Sequence, residues 1–272
     1  MLHNNPDGSV TPGVYDESTP LLQESLISVE GTYPNRTPFE VIGEANTINA
    51  TRVDVTNIGN LGAGVVYAFP PAGGITMYAV SDSPLDAANG TGIRTLRMHS
   101  LNAEYVEVSL DLTMNGNTPV PTPAADVLRL NGVHALTCGN GAQAAGNITI
   151  TDVTGNIVYA RIEQGHNTSR NAVFTVPAGH QGYVNYMCAS AGTLNGTHYT
   201  RFALRATTHD NALVPGIFMA HAGIGALNGG RSVTFPVPHR FPEKCDIKMS
   251  VVSDAANANA LVGSEFSGRI ES

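Results

Sequence analysis

Apolar and polar residues alternate most regularly between Glu104 and Thr113. A period of two residues places alternate side chains on opposite faces of an extended chain, which predicts a half-buried antiparallel strand. The polar face of this segment is rich in Glu, Ser and Asp, as expected for side chains that face water. The face predicted to be buried carries Val106, Val108, Leu110 and Leu112.

A turn follows this strand at Asn115-Gly116. Both residues tolerate positive φ, so the dipeptide favours a two-residue hairpin connection. The return limb, residues 118–122, contains Pro119 and Pro121, which lack N–H donors. We therefore predict a hairpin whose second limb is an edge strand or an irregular strand.

A second hairpin is predicted from residues 147–153 and 157–163, which are joined by Thr154-Gly155-Asn156. Strand-length segments then recur about every 10–15 residues, with turn-forming residues between them. In the segment 198–207, Arg201 and Arg205 alternate with apolar residues and are expected to face outward. Further strands are predicted at residues 171–176, 182–189, 231–237, 246–252 and 265–270.

The succession of strands contains no β-α-β alternation. It predicts an all-β chain with two antiparallel β-sandwich or jelly-roll-like modules, preceded by an extended N-terminal arm. The arm is assigned to residues 1–45, the first module to residues 46–176 and the second module to residues 177–272. The boundary between the modules falls at Val176-Pro177-Ala178-Gly179, where turn residues cluster.

The segment 1–45 is interrupted by Pro and Gly every few residues and has no sustained periodicity. Ordering a backbone residue costs about 1–2 kcal/mol, and few large apolar side chains are present here to offset that cost. Contact with another chain would make up the difference, so this arm is predicted to be a partner-binding anchor. Its candidate contact residues are Leu21, Leu22, Leu26, Ile27 and Phe39.

Composition narrows the function classes. Charged residues make up 13% of the 272 positions, the formal net charge is −8, and lysine occurs only at Lys244 and Lys248. Without a run of basic residues, a nucleic-acid partner is not expected. No run of eighteen apolar residues suggests a membrane span, and no secretory signal is recognised at the start, so we expect a cytoplasmic place of synthesis.

No motif with catalytic or metal-ligating spacing is found. The nine histidines show no HxH, HxxxH or HExxH pattern, and GxSxG is absent. The three cysteines are widely spaced and are expected to be free thiols. We therefore expect no enzymatic activity, no cofactor and no metal. Calcium binding at residues 81–90 and paired carboxylates for glycoside hydrolysis remain open alternatives.

Several segments of the sequence combine turn residues and strand-forming residues in a distinctive order. The most distinctive runs from Ser81-Asp82-Ser83 to Gly92-Ile93-Arg94-Thr95, and a second is Phe241-Pro242-Glu243-Lys244-Cys245-Asp246-Ile247. This pattern resembles virion structural proteins of tailed phages, especially aquatic ones, and the resemblance covers about residues 40–272. It departs at Leu101-Asn102, where many members have Leu-Asp. Other matching segments are residues 101–105, 112–120, 145–149 and 175–179.

The resemblance implies a non-enzymatic virion component, of the capsid decoration, cement or head-fibre type, anchored by the arm. It also implies assembly in the cytoplasm of a bacterial host. The expected partners are other virion proteins, such as the major capsid protein or tail and portal components, and further copies of the chain. A trimer is the first candidate for the homo-oligomer. The alternative is a tail-associated fibre or adsorption protein that binds host surface glycan. A hydrolase and a cellular adhesive protein also stay open.

Overall fold

The computed structural model describes residues 2–4, 10–12, 35–192, 199–207, 217–226, 229–254 and 261–272. Within these ranges the regular structure is β-strand apart from a single 3-10 turn at Asn60–Gly62, and every strand pairing is antiparallel. The all-β prediction is therefore confirmed. The strands are β1 (Leu2–Asn4), β2 (Val10–Pro12), β3 (Arg36–Ala45), β4 (Val53–Asp54), β5 (Tyr78–Ser81), β6 (Ile93–Leu101), β7 (Glu107–Thr113), β8 (Val120–Pro121), β9 (Arg129–Cys138), β10 (Ile148–Thr151), β11 (Val158–Ile162), β12 (Val173–Thr175), β13 (Gln181–Gly192), β14 (Thr200–Ala206), β15 (Met219–Ala226), β16 (Gly229–Phe241), β17 (Asp246–Ser253) and β18 (Leu261–Glu271).

Four of the sheets pack in pairs around two separate cores. Module A consists of the sheets β11-β10-β5-β8 and β7-β6-β9. Module B consists of the sheets β12-β17-β14-β15, with β4 beside β17, and β16-β13-β18-β3. The short strands β1 and β2 pair only with each other.

Module A is inserted into the chain of module B, which corrects the predicted module boundaries. The strands β3 and β4 precede the insertion, and β12 follows it, yet all three belong to module B. The chain leaves and re-enters module B at adjacent positions, because Thr56 and Asn171 form an antiparallel bridge and the Ala172 N–H donates to the Val55 carbonyl at 3.0 Å. Turn residues show where the chain reverses but do not show which sheet the next strand joins.

The predicted arm is also shorter than residues 1–45. Residues 36–45 form β3, which pairs along its whole length with β18. Its alternate side chains Val41 and Ala45 are buried in the core of module B. The Pro34 and Pro38 positions suggested an irregular segment, but Pro38 lies on an edge strand, where a missing N–H is tolerated.

The two predicted hairpins have different outcomes. Strands β10 and β11 form the second hairpin, with Gly155 at positive φ in the turn. The first hairpin is wrong: β7 pairs with β6, whereas β8 pairs with β5 in the other sheet of module A. The turn at Gly116 therefore carries the chain from one sheet to the other.

Buried ion pairs connect the inserted segment to module B. Arg129 of β9 donates two hydrogen bonds to the Asp246 carboxylate of β17, at 2.8 and 3.0 Å. Thr175 donates a further hydrogen bond to Asp246 at 2.6 Å. The Asn131 side chain of module A both accepts from the Thr175 N–H and donates to the Thr175 carbonyl. These hydrogen bonds have defined directions, so they fix the orientation of module A relative to module B.

A second ion pair lies beneath the connection into module A. The Lys248 ammonium is 2.7 Å from the Asp54 carboxylate, and the two side chains are only 4% and 2% exposed. Asp54 also accepts hydrogen bonds from the Ser250 hydroxyl and from the Tyr67 N–H. Lys248 alternates along β17 with the core residues Ile247 and Met249, and its ammonium lies 4.0 Å from the centroid of the Phe218 ring.

Candidate interaction surfaces

Phe39 is the one predicted contact residue of the arm that falls within the described residues. Its ring stacks on Phe174 with centroids 4.3 Å apart and meets Phe266 edge-on at 6.2 Å. Phe39 is therefore half-buried against the core of module B and also lines a cavity, and its role as a partner contact stays a prediction. The other four predicted contact residues, Leu21, Leu22, Leu26 and Ile27, lie outside the described residues.

Replacing Phe39 by alanine is expected to lower the free energy of unfolding by about 2–3 kcal/mol, because a half-buried aromatic ring and its stacking partner are lost. Ile42→Ala is the matched control, since Ile42 lies on the same strand and is half exposed. Urea unfolding of both variants measures the difference. Equal stability losses would show that Phe39 is not part of the core.

The loop that carries the family-like Ser81–Gly90 segment is held by one buried carboxylate. Asp86 accepts hydrogen bonds from the Ser81 hydroxyl at 2.7 Å and from the Ile93 N–H at 2.7 Å. It also accepts from the N–H groups of Ala145 and Gly146, both at 3.0 Å. Both oxygens are therefore used to join two loops of module A, which gives this oxygen-rich segment a structural role.

Four of the histidines that are scattered in the sequence form two pairs in the fold. His99 and His134 stack with ring centroids 5.0 Å apart, and His221 lies 6.3 Å from His239. No group of three or more His, Cys, Asp or Glu residues with metal-binding geometry is found within the described ranges. The sequence spacing could not show these pairs, because each joins two different strands.

His221 lies at the open edge of module B, where β15 approaches β16. Its ring contacts Phe241 edge-on at 5.0 Å, and its buried Nε2 atom has no hydrogen-bond partner in the described part of the chain. Burial and the neighbouring His239 lower the pKa of His221. The neutral ring is therefore favoured in the folded protein.

We expect the melting temperature to fall as the pH decreases below about 6.5. The folded-state pKa of His221 is lowered, so the unfolded chain takes up the proton first, and acid favours unfolding. His221→Phe keeps the packing against Phe241 and should reduce the slope of melting temperature against pH. An unchanged slope between about pH 7.5 and about pH 5.5 would show that His221 does not contribute.

A groove separates β3 of module B from the β6, β7 and β9 face of module A. Two connected cavities of about 450 and 470 Å³ form it, and they share Glu40, Val41, His99 and Asn131 in their walls. Burial, with the nearby His99 and Arg97, lowers the pKa of His134, which lines one of these cavities. The walls combine backbone, aliphatic and polar groups in an open cleft.

A long edge strand is the most exposed structural element of module B. Strand β16 spans thirteen residues and pairs only with β13, on one side. Most of its residues are exposed, including Val233 and Val237, and Val237 is 79% exposed. Exposed apolar side chains also occur on or next to the neighbouring edge strand β15, at Ile217 and Met219. This side of module B thus presents both unpaired strand edge and apolar surface.

Comparison with known proteins adds little to this geometry. No family model and no curated protein sequence matches the chain. Among solved structures, the VP2 subviral particle of infectious bursal disease virus shows a weak similarity. That alignment covers 87% of this chain and 71% of the other, with 10% identity and a TM-score of 0.16. A similarity at this level carries no argument about function.

The described residues contain no helix of the length and apolar character needed to cross a membrane.

Proposed function

We propose that this chain is a non-enzymatic structural component of a bacteriophage particle, of the capsid decoration, cement or head-fibre type. The observation that carries the proposal is the exposed, apolar β16 edge of a rigid two-module β body. Residues 229–234 of β16 leave an unpaired strand edge that can pair with another chain. Pro236 and Pro238 lack N–H donors, so the segment around Val237 offers exposed apolar surface instead of a pairing edge. A neighbouring protein in a particle would cover it.

The joint between the modules supports the same proposal. The buried Arg129–Asp246 pair and the Asn131–Thr175 hydrogen bonds hold module A in one orientation on module B. A fixed orientation suits a protein that repeats regularly on a surface. The resemblance of residues 81–95 and 241–247 to virion proteins of tailed phages agrees with this role.

Mass spectrometry of particles purified by density gradient tests the proposal. The phage that encodes the chain is grown on its bacterial host, and the protein is expected in the particle band in a fixed ratio to the major capsid protein. Immunogold labelling then separates a head position from a tail position. A protein that is abundant in the infected-cell lysate but absent from purified particles would contradict the proposal.

A charge placed on the β16 edge should reduce incorporation into particles. Val237→Lys replaces an exposed apolar side chain by an ammonium, which a covering protein would have to desolvate. Val153→Lys is the matched control, because Val153 is similarly exposed but lies in the turn between β10 and β11. The number of copies per particle is the readout, and equal numbers for the two variants would show that the edge is not an interface.

A further inference from the structure

Three arginines from two distant segments of the sequence lie together on the outer face of module B. Arg201 and Arg205 alternate with buried residues of β14, so their side chains point away from the core. Arg52 directly precedes β4, whose Val53 pairs with Val251 of β17, the strand beside β14. The sequence contains no run of basic residues, and the sheet assembles this cluster from two separate segments.

The positive charge of this cluster is not neutralised nearby. No carboxylate pairs with Arg52, Arg201 or Arg205 in the described ranges, and Arg205 donates only to the Phe218 carbonyl, at 2.9 Å. The nearby Asp54 is already bound to Lys248. Burial, and then the proximity of Arg205 and Arg201, lowers the pKa of Arg52. Like charges are thus concentrated on a protein whose net charge is −8.

Apolar side chains border the arginines. Val66, which is 66% exposed, follows Val65, whose carbonyl accepts a hydrogen bond from the Asp54 N–H. The Tyr199 ring lies over Gly225, opposite Arg201 in the sheet. A Cβ atom at Gly225 would lie only 1.7 Å from the Tyr199 hydroxyl, so this position needs glycine to seat the ring. We call Arg52, Arg201, Arg205, Val66 and Tyr199 the arginine patch.

One segment of the chain has the complementary chemistry. Residues 13–34 contain no lysine or arginine. Their acidic residues occur among apolar ones, so this segment would offer both carboxylates and aliphatic groups to a surface. The acidic residues are Asp16, Glu17, Glu24 and Glu30, and the larger aliphatic residues are Leu21, Leu22, Leu26, Ile27 and Val29.

We propose that the arginine patch binds residues 16–30 of a second copy of this chain. The proposal rests on the expectation from the sequence that the arm is a binding segment, and it names the partner of that segment. Carboxylates of the arm would pair with the arginines, and its aliphatic side chains would cover Val66 and Tyr199. The opposite charges would set the register of the arm on the patch, and burial of Val66 and Tyr199 would add affinity.

The position of the arm favours a second copy over the same copy. The arm joins module B at Asn35, next to the Arg36 end of β3. The other end of β3, at Ala45, leads within a few residues to Arg52. The arm is therefore attached at the end of β3 that lies away from the patch of its own body, and the occupant that we assign is the arm of a neighbouring copy.

Charge reversal in the full-length protein tests this arrangement. One variant carries Arg52→Glu and Arg201→Glu, and the other carries Glu17→Lys and Glu24→Lys. Each variant alone faces like charges and is expected to give the mass of one chain, 28.4 kDa, in light scattering, whereas the unaltered protein gives a multiple of it. An equimolar mixture of the two variants is expected to associate again, because each arm then meets an opposite charge on the other chain.

The controls separate the possible failures. Arg97→Glu alters an exposed arginine of module A, outside both the patch and β16, and should leave the mass unchanged. Circular dichroism checks that each variant folds. A single-chain mass for the unaltered protein, or unchanged association after patch reversal, would overturn the proposal. Rescue by all four substitutions in one chain, without rescue in the mixture, would place the arm on its own body and also overturn it. Absence from purified particles would instead contradict only the proposed function.

Discussion

Asp54→Ala is expected to lower the free energy of unfolding by about 3–5 kcal/mol, because it leaves the Lys248 ammonium buried without a counter-charge. The Ser250 hydroxyl and the Tyr67 N–H would lose their acceptor in the same substitution. The loss should be visible as a lower urea midpoint with a similar slope, since the compactness of the folded state is unchanged.

Two further variants show that the cause is an unpaired buried charge. Asp111→Ala removes the partner of Arg97 in an exposed ion pair, and it should cost far less than Asp54→Ala. The double variant Asp54→Leu with Lys248→Met leaves no unpaired charge and should recover part of the stability. The recovery is partial because the Ser250 hydroxyl and the Tyr67 N–H still lack their acceptor. A double variant as unstable as Asp54→Ala would contradict this explanation.

Asp86→Ala is expected to cost at least about 3 kcal/mol, since one substitution removes the acceptor of four hydrogen bonds in the interior of module A. Asp82→Ala is the matched control, because Asp82 lies in the same loop but is exposed and binds only Asn147. Thermal unfolding measures the stability of both variants.

Amide hydrogen exchange gives a local test of the same prediction. The N–H groups of Ile93, Ala145 and Gly146 bind the Asp86 carboxylate, so they should exchange faster in Asp86→Ala than in the unaltered protein. Unchanged protection of these three amides would show that other contacts hold the two loops together.

Local patterns predicted local structure in this protein. The β10–β11 hairpin follows from alternation on both sides of a glycine turn, and its two strands are neighbours in the sequence. The turn at Gly116 had equally good signals, but its flanking strands pair with β6 and β5. Pairing between distant strands is decided by the packing of whole sheets, and no short window of sequence contains that information.

The same limit applies to the interaction surfaces. Alternation in the segment 198–207 correctly placed Arg201 and Arg205 on an outer face, but the approach of Arg52 depends on the pairing of β4 with β17. Phe39 was assigned to the arm because of the prolines around it, whereas its stacking partner Phe174 lies in a strand beyond the inserted module. Lys248 alternates with apolar residues along β17, yet it is buried against Asp54 and the Phe218 ring, which come from distant parts of the sequence.

The insertion of module A also sets an order of events during synthesis. Strand β3 pairs with β18 and β4 pairs with β17, and both partners are made only after the whole of module A. The strands of module A pair within a much shorter stretch of sequence, and contacts of low sequence separation form faster. Module A can therefore complete its core while residues 36–54 still wait, unpaired, for the last two strands to leave the ribosome.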